Sequence, residues 1–521
     1  MARSRPSLGR ATAKTKSVPA PVGGLNAVDS IAAMPPTDAI ICDNFFPTPT
    51  FLQLRNGYSS HSTGLPGWVE TLMGYSSLTT SEKLFAISGT AVYDVTAGGA
   101  VGGAVVTGLT NARWEYVNVA PPGGASLYAA NAVDPPLYYN GSTWTKVTGI
   151  STPAITGVTT TTLRNPAVWK SRLWFIQDGT NLAWYLPVQS IGGAATSFDL
   201  STQFRLGGSL QSILTFSVSS ATSFDDYIGF LSTEGELAVY QGTDPSVAAD
   251  IGIVGVYRLG KPIGRRCWFK YGSDAIIICS DGFVSVTSLI SVGIQQPKNS
   301  ISYKIMQLVN NDVQAYSQNF GWQGVVFPLG NKIIINVPEN TNSRYHQYVQ
   351  NTINNSWCSY GLQTSPWNAA TFCVLGDKLY FGGNTIVAQA DVGPSDAGAQ
   401  ILGTVKPAFS YMGSDRQKRF TMVRPLVQTT GQVTPALALN VDFANVLPSG
   451  TPTFSTTANP MWNVALWNVS FWSSGPLLQK DWQTVYGIGF AGTIYLTLAS
   501  TVSQVNLLSL DYVFEQGSGI L

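Results

Sequence analysis

The feature that most restricts the fold is a phrase that recurs along the middle of the chain: a short apolar, aromatic-rich run, a polar turn, and in most copies a second short run. Its clearest copy is VWKSRLWFIQDGTNLAWYLP at residues 168–187, where runs at 172–176 and 182–186 flank a turn at 177–181. Runs this short, rich in aromatics and broken by Gly and Asn, form strand hairpins. Helices need about 10–12 residues of 3.6-period pattern, and none is offered here. The phrase returns at residues 81–95, 126–144, 226–242, 274–289, 331–340 and 377–393. Its first runs begin near Leu84, Leu127, Leu173, Ile228, Ile276, Ile333 and Leu379, a period of roughly 40 to 57 residues that falls in the range of propeller blades. The chain is therefore expected to be all-β, with a central β-propeller of six to eight blades over residues 59–393. Seven first runs serve six, seven or eight blades, depending on how the N-terminal strands are used.

The flanks differ from the middle. Residues 1–22 carry Arg3, Arg5, Arg10, Lys14 and Lys16 among Ser, Pro and Ala, without one aromatic. Such a stretch cannot bury enough surface to fold alone and reads as a basic flexible arm that orders against a partner. Residues 23–58 form an N-terminal segment of short strands, with Pro35-Pro36 stopping any helix begun before them. After a small polar linker at 394–403, residues 394–521 show longer alternating runs, expected to make an antiparallel β-sandwich-like domain.

Only 11% of the residues are charged, against about 25% in ordinary soluble domains, and the net charge is +1. No global field draws this surface to nucleic acid or to an anionic membrane. The five cysteines, Cys42, Cys267, Cys279, Cys358 and Cys373, form no C-x-x-C pair, which reads as free thiols in a reducing compartment. The basic N-terminus lacks an apolar core like a signal peptide's, and no stretch offers about 18 uninterrupted apolar residues, so neither secretion nor membrane spanning is expected.

Chemistry-bearing patterns are sparse. His61 and His346 are the two histidines and fall in different expected blades. No nucleophile elbow, zinc-protease helix or phosphate loop is written in the chain. The sharpest enzymatic pattern is a set of carboxylates near strand ends, Asp225, Asp226, Glu234, Glu236 and Asp281, because glycosidases use two acids about 5 to 9 Å apart. Turn chemistry places acids at such positions as well. No catalytic, cofactor or metal residue is assigned. Two basic clusters remain. Arg258, Lys261, Arg265 and Arg266 lie with Lys270 in YRLGKPIGRRCWFK, which reads as a phosphate-facing patch or as an inter-blade loop whose arginines bridge blades or subunits. Arg416, Lys418 and Arg419 form a second basic stretch with Arg424 in the C-terminal domain. Trp462, Trp467, Trp472 and Trp482 are dense enough to suggest core or subunit interface, with a carbohydrate platform as the alternative.

One further set of residues carries a resemblance. The runs G-G-L-N at 23–26, D-S-x-A-x-M-P-P-T-D-A at 29–39, D-N-x-F-P at 43–47 and L-R-x-G-Y at 54–58 resemble the opening of tail nozzle proteins of short-tailed bacteriophages. That group includes tail tubular protein B and packaged-DNA stabilisation proteins. The K-x-R-L-W-F pattern at 170–175, with W-Y at 184–185 and F-D-L at 198–200, is similar to the same family. The resemblance implies a structural virion protein, made in the host bacterial cytoplasm and located in the virion tail. It implies a homo-oligomeric ring of six copies below the head-to-tail adaptor, meeting tail fibres or spikes. Packaged double-stranded DNA would be retained and then pass through the lumen without sequence-specific binding, with no small-molecule substrate or cofactor. Under the resemblance the segment 23–58 and the C-terminal domain are the expected assembly surfaces, and Arg258, Lys261, Arg265, Arg266, Arg416, Lys418 and Arg419 are expected as assembly or channel residues. The rival expectation is a carbohydrate-binding or glycoside-hydrolysing propeller of a phage tail.

Overall fold

The structure is a computed structural model that describes residues 13–77, 81–219, 224–293, 298, 300–455 and 476–517. It is all-β, and the chain divides into two compact units. One comprises Ser59–Tyr348 and Trp367–Ala390, the other Met1–Tyr58, Val349–Pro366 and Asp391–Leu521.

The first unit is a β-propeller. Among the described residues seven antiparallel sheets follow one another in it, and four of these have four strands. The second blade is Glu115–Val119, Ser126–Ala130, Leu137–Tyr139 and Trp144–Lys146. The third is Leu163–Trp169, Arg172–Gln177, Leu182–Tyr185 and Thr196–Asp199, which places the 168–187 hairpin in its middle. The fourth is Leu210–Ser219, Phe224–Ser232, Glu236–Gly242 and Ile251–Arg258. The long strand Tyr58–Tyr75 serves twice. Its second half opens the first blade beside Lys83–Ser88 and Ala91–Asp94, and its first half completes the seventh, Thr371–Leu375, Lys378–Gly382 and Asn384–Ala390. The propeller thus closes its ring by giving its own earliest strand to its last blade.

Innermost strands touch in sequence from the second blade round to the seventh. The Tyr116 hydroxyl of the second blade reaches both the first and the seventh, lying 3.3 Å from the Gly74 amide and 3.5 Å from Cys373 Sγ. Between blades the core is aromatic. Trp174, Tyr185 and Phe230 pack between the third and fourth, and Tyr75, Phe85 and Tyr139 between the first and second. The fifth blade has three strands, Trp268–Tyr271, Asp274–Cys279 and Gly282–Ser285, and then the chain turns helical. Ser285 caps the helix Val286–Val292 by accepting from the Ser288 amide, and a second helix, Met306–Tyr316, packs against the sixth-blade strand Lys332–Asn340. No described helix is long and apolar enough to cross a membrane.

The second unit faces two sheets against each other. One runs from Lys418–Thr429 through Val505–Gln516 to Leu52–Leu54 and Phe45–Pro47; the other contains Asp38–Asp43, Ile401–Pro407, Gly492–Ser500 and Ala436–Val441. Where they meet, Gly403 leaves room for Phe45, and Gly492 for Phe420. Two expectations need correction. The expected flexible arm over residues 1–22 does not hold for Ala13–Pro19, which pairs antiparallel with Val505–Gln516, its backbone donors satisfied by a strand roughly 500 residues away; residues 1–12 lie outside the described residues. The segment 23–58 and the domain 394–521 are not separate bodies but one unit, which also takes in Val349–Pro366 from inside the span expected to be propeller. The physical reason is that the strands 45–47 and 52–54 pair with each other, and the other edge of 52–54 is covered by Val505–Gln516.

Candidate functional site

The described residues of the propeller unit line a polar pocket of about 830 Å³. Four cations reach it from three places in the chain: Arg113, Arg164, and the pair Lys261 and Arg265. Asp178 is the lone carboxylate among its lining residues. Three of the cations are already neutralised. Arg113 Nε lies 3.2 Å from Glu70, Arg164 Nε 2.6 Å from Asp178, and Lys261 Nζ 2.7 Å from Glu234. Arg164 is also nearly buried and donates to the carbonyls of Leu210 and Gln211. Arg265 differs. Nη1 donates to the Asn131 carbonyl at 2.9 Å, and Nε and Nη2 have no partner among the described residues.

Below the pocket the propeller axis narrows to a cavity of about 190 Å³, room for a handful of waters. Arg266 seals it. Nη1 donates to Thr371 Oγ1 at 3.0 Å, and Nη2 to the carbonyls of Glu70 and Trp114 and to Thr71 Oγ1, at 2.9, 3.0 and 2.7 Å. One guanidinium from the fifth blade thereby ties the first, second and seventh. Phe320 is held between two guanidinium groups, with Arg113 Cζ 4.6 Å and Arg266 Cζ 5.2 Å from its ring centre.

The first basic cluster therefore scatters. Arg265 and Arg266 bridge blades, Lys261 sits at the pocket, and Arg258 is an exposed strand end opposite Glu236. In the other unit, Lys418 is buried and donates to the carbonyls of Ser414, Arg416 and Phe490, so it cannot offer its charge to a lumen. Burial lowers its pKa. Arg416 is exposed, and Arg419, also exposed, lies 3.9 Å from Glu515. Trp482 is partly exposed with Arg424 Cζ 4.5 Å from its ring centre; Trp462, Trp467 and Trp472 lie outside the described residues.

The carboxylates considered for glycan chemistry have local employment. Glu236 accepts from the amides of Arg205 and Leu206, Glu234 holds Lys261, and Asp226 accepts from Ser217 and faces Lys170. Asp281 packs against Gly260, and the Asp225 side chain falls outside the described ones. His61 meets the Val95 carbonyl at 2.8 Å. His346 is buried between Glu339 and Asp312, 2.9 Å from Nδ1 and 3.1 Å from Nε2, and the Tyr348 hydroxyl donates to the same Asp312 oxygen at 2.6 Å. Burial alone would lower the histidine's pKa, but the two carboxylates outweigh it and raise it. Among the described residues no group of three or more His, Cys, Asp or Glu is placed to hold a metal. All five cysteines are free and buried, and burial pushes the Cys373 thiol to about 11 and Cys267 to about 12.

The most ordered polar constellation in the second unit was hidden in the opening motifs. Arg55 of L-R-x-G-Y is fully buried. Its guanidinium grips Asp396 with two bonds of 2.8 and 2.6 Å, and donates to Asn44 Oδ1 at 2.7 Å and to the carbonyls of Asn56 and Ser365 at 3.0 and 2.7 Å. Asp43 of D-N-x-F-P collects the Ser359 hydroxyl and the amides of Leu362, Gln363 and Thr364 at 2.7 to 3.1 Å. Burial still raises its pKa, with those bonds acting in the opposite sense. Gly57 lies where any Cβ would strike the Ser395 carbonyl.

No family model matches this chain, and no curated protein matches it. Among solved structures it is similar to BBS1N in its complex with ARL6DN, at 10% identity over 66% of this chain and 99% of that one, TM-score 0.38. YCF48 bound to D1 peptide is similar at 10% identity over 69% of this chain and 99% of that one, TM-score 0.37. YCF48 from Cyanidioschyzon merolae follows at 10% identity over 66% and 97%, TM-score 0.26. Similarity at this level concerns fold alone.

Proposed function

We propose that this chain is a structural tail protein of a short-tailed bacteriophage, a nozzle subunit whose copies form a ring, six by the resemblance, below the head-to-tail adaptor. In this reading the ring carries fibres or spikes, retains packaged DNA and conducts it during ejection. The observation that carries the reading is the fate of the opening motifs: Asp43, Asn44, Arg55 and Gly57, the residues that suggested the family, converge with Asp396 on one buried polar hub. Residues repeated for a shared fold are expected to sit in such places, and chance matches are not.

The closed propeller axis constrains this proposal. With Arg266 bonded across it, no duplex threads a single subunit, so the conduit must lie between copies. A lumen wall that lets DNA slide should offer few bare cations, since each neutralised phosphate adds salt-dependent affinity. The ion pairs of Arg113, Arg164 and Lys261 suit that requirement. The carbohydrate-directed alternative has less behind it, because Glu234, Glu236 and Asp226 are each held by neighbours.

Negative-stain microscopy of the purified protein is the test. Rings with a central opening wide enough for duplex DNA, and no reducing sugar released from host polysaccharide, are expected. A monomer that cleaves glycan and loses that activity in Glu234→Gln would overturn the proposal.

A further inference from the structure

We infer that the 830 Å³ pocket of the propeller unit is a docking site for an acidic stretch of polypeptide, with Arg265 as its anchor. The inference stands apart from the nozzle reading and concerns any function of this propeller. Its first ground is charge. Among the four cations at the pocket, Arg113, Arg164 and Lys261 have carboxylate partners, whereas Arg265 reaches the pocket with one carbonyl bond and two nitrogens uncommitted. Guanidinium nitrogens in a fixed fork match a carboxylate, and a charge-assisted pair formed there is roughly twice as strong as a neutral one.

The second ground is rigidity. Arg265 is flanked by Gly264, whose carbonyl is fixed by Gln211 Nε2, and by the sealed Arg266, so its backbone is held before any ligand arrives. Pre-ordering of this kind reduces the entropy lost on binding. The third ground is the lining. Phe320 and Pro262 supply apolar surface beside Ser and Asn side chains, the mixture that suits a peptide. Nucleic acid is a poorer match, because it gains affinity by neutralising several phosphates and this pocket has one uncommitted cation.

Fluorescence anisotropy with the full chain and fluorescein-labelled octaglutamate tests the inference, with octalysine and a twelve-base-pair DNA duplex as competing probes. Octaglutamate is expected to bind, octalysine not to, and the duplex to bind more weakly at equal salt. Arg265→Gln should weaken octaglutamate about ten- to hundredfold, while Arg258→Gln, outside the pocket, should leave it unchanged. Retention of the wild-type melting temperature by Arg265→Gln shows that the variant is folded; if it melts early, Arg265→Lys, which keeps the charge but loses the fork, replaces it with an expected loss of about tenfold. Absence of octaglutamate binding, equal binding by the Arg265 variants, or tighter binding of the duplex each overturns the inference.

Discussion

Arg55→Met removes the central cation of the second unit and is the most informative single substitution. The side chain is fully buried and its partner Asp396 has a side chain 9% exposed, so the pair has little water to fall back on. Deleting one member of such a pair leaves a buried carboxylate uncompensated, which costs about 3–5 kcal/mol. At about 1.4 kcal/mol per decade, this raises the population of the open unit by roughly two to three and a half powers of ten. Hydrogen exchange reads that population locally. The amide of Gly57 bonds to the Gly393 carbonyl, that of Val392 to Gly57, and that of Ala397 to Tyr58, so these three protons report the hub. They are expected to exchange at least a hundredfold faster in Arg55→Met. The double variant Arg55→Met/Asp396→Leu removes the stranded charge and should recover more than half of the loss. A change below tenfold in the single variant, or a double variant no better than the single, would refute the reasoning that the hub is held by this ion pair.

Two other outcomes follow from the propeller unit. His346 has a raised pKa in the folded state, so its contribution is full below the unfolded value of 6.5 and disappears as pH rises through the folded value; Glu339, whose pKa is lowered chiefly by the His346 bond, contributes above 4.5 and loses this as pH falls. Melting temperatures from pH 6.5 upward should therefore fall in the wild type and stay flatter in His346→Gln, and parallel profiles would contradict this. Arg266→Met breaks four bonds across the axis and should lower stability in urea by on the order of 2–4 kcal/mol, where Arg265→Gln should change it by less than about 0.5 kcal/mol.

The blades were legible because a strand hairpin writes its own period: Leu173 to Tyr185 announces two paired strands without help from the rest of the chain. What could not be read is whatever depends on a distant partner. Arg265 and Arg266 are adjacent and chemically identical, yet one faces a pocket and the other seals the axis, a difference set by Thr71, Trp114 and Thr371 on three other blades. Arg113 and Arg164 were passed over because each stands alone in sequence and joins the pocket only when the blades close. The arm failed for the same reason. Its composition lacks the means to fold alone, but Ala13–Pro19 never has to, since Val505–Gln516 pairs with it. The helix Met306–Tyr316 carries no acidic first turn and no basic last turn to announce it.

That pairing sets a schedule for biogenesis. Lys14 emerges from the ribosome 502 positions ahead of Gln516, which its ammonium group will meet. At translation rates of about 5–20 residues per second, the earliest strand waits roughly 25 to 100 s for its mate. Through that interval Leu52–Leu54 and Lys418–Thr429 are without the same neighbour, while the propeller strands have already been synthesised. A nonsense mutation at Val505 would thus leave the propeller strands complete, with Ala13–Pro19, Leu52–Leu54 and Lys418–Thr429 all lacking the strand that each pairs with.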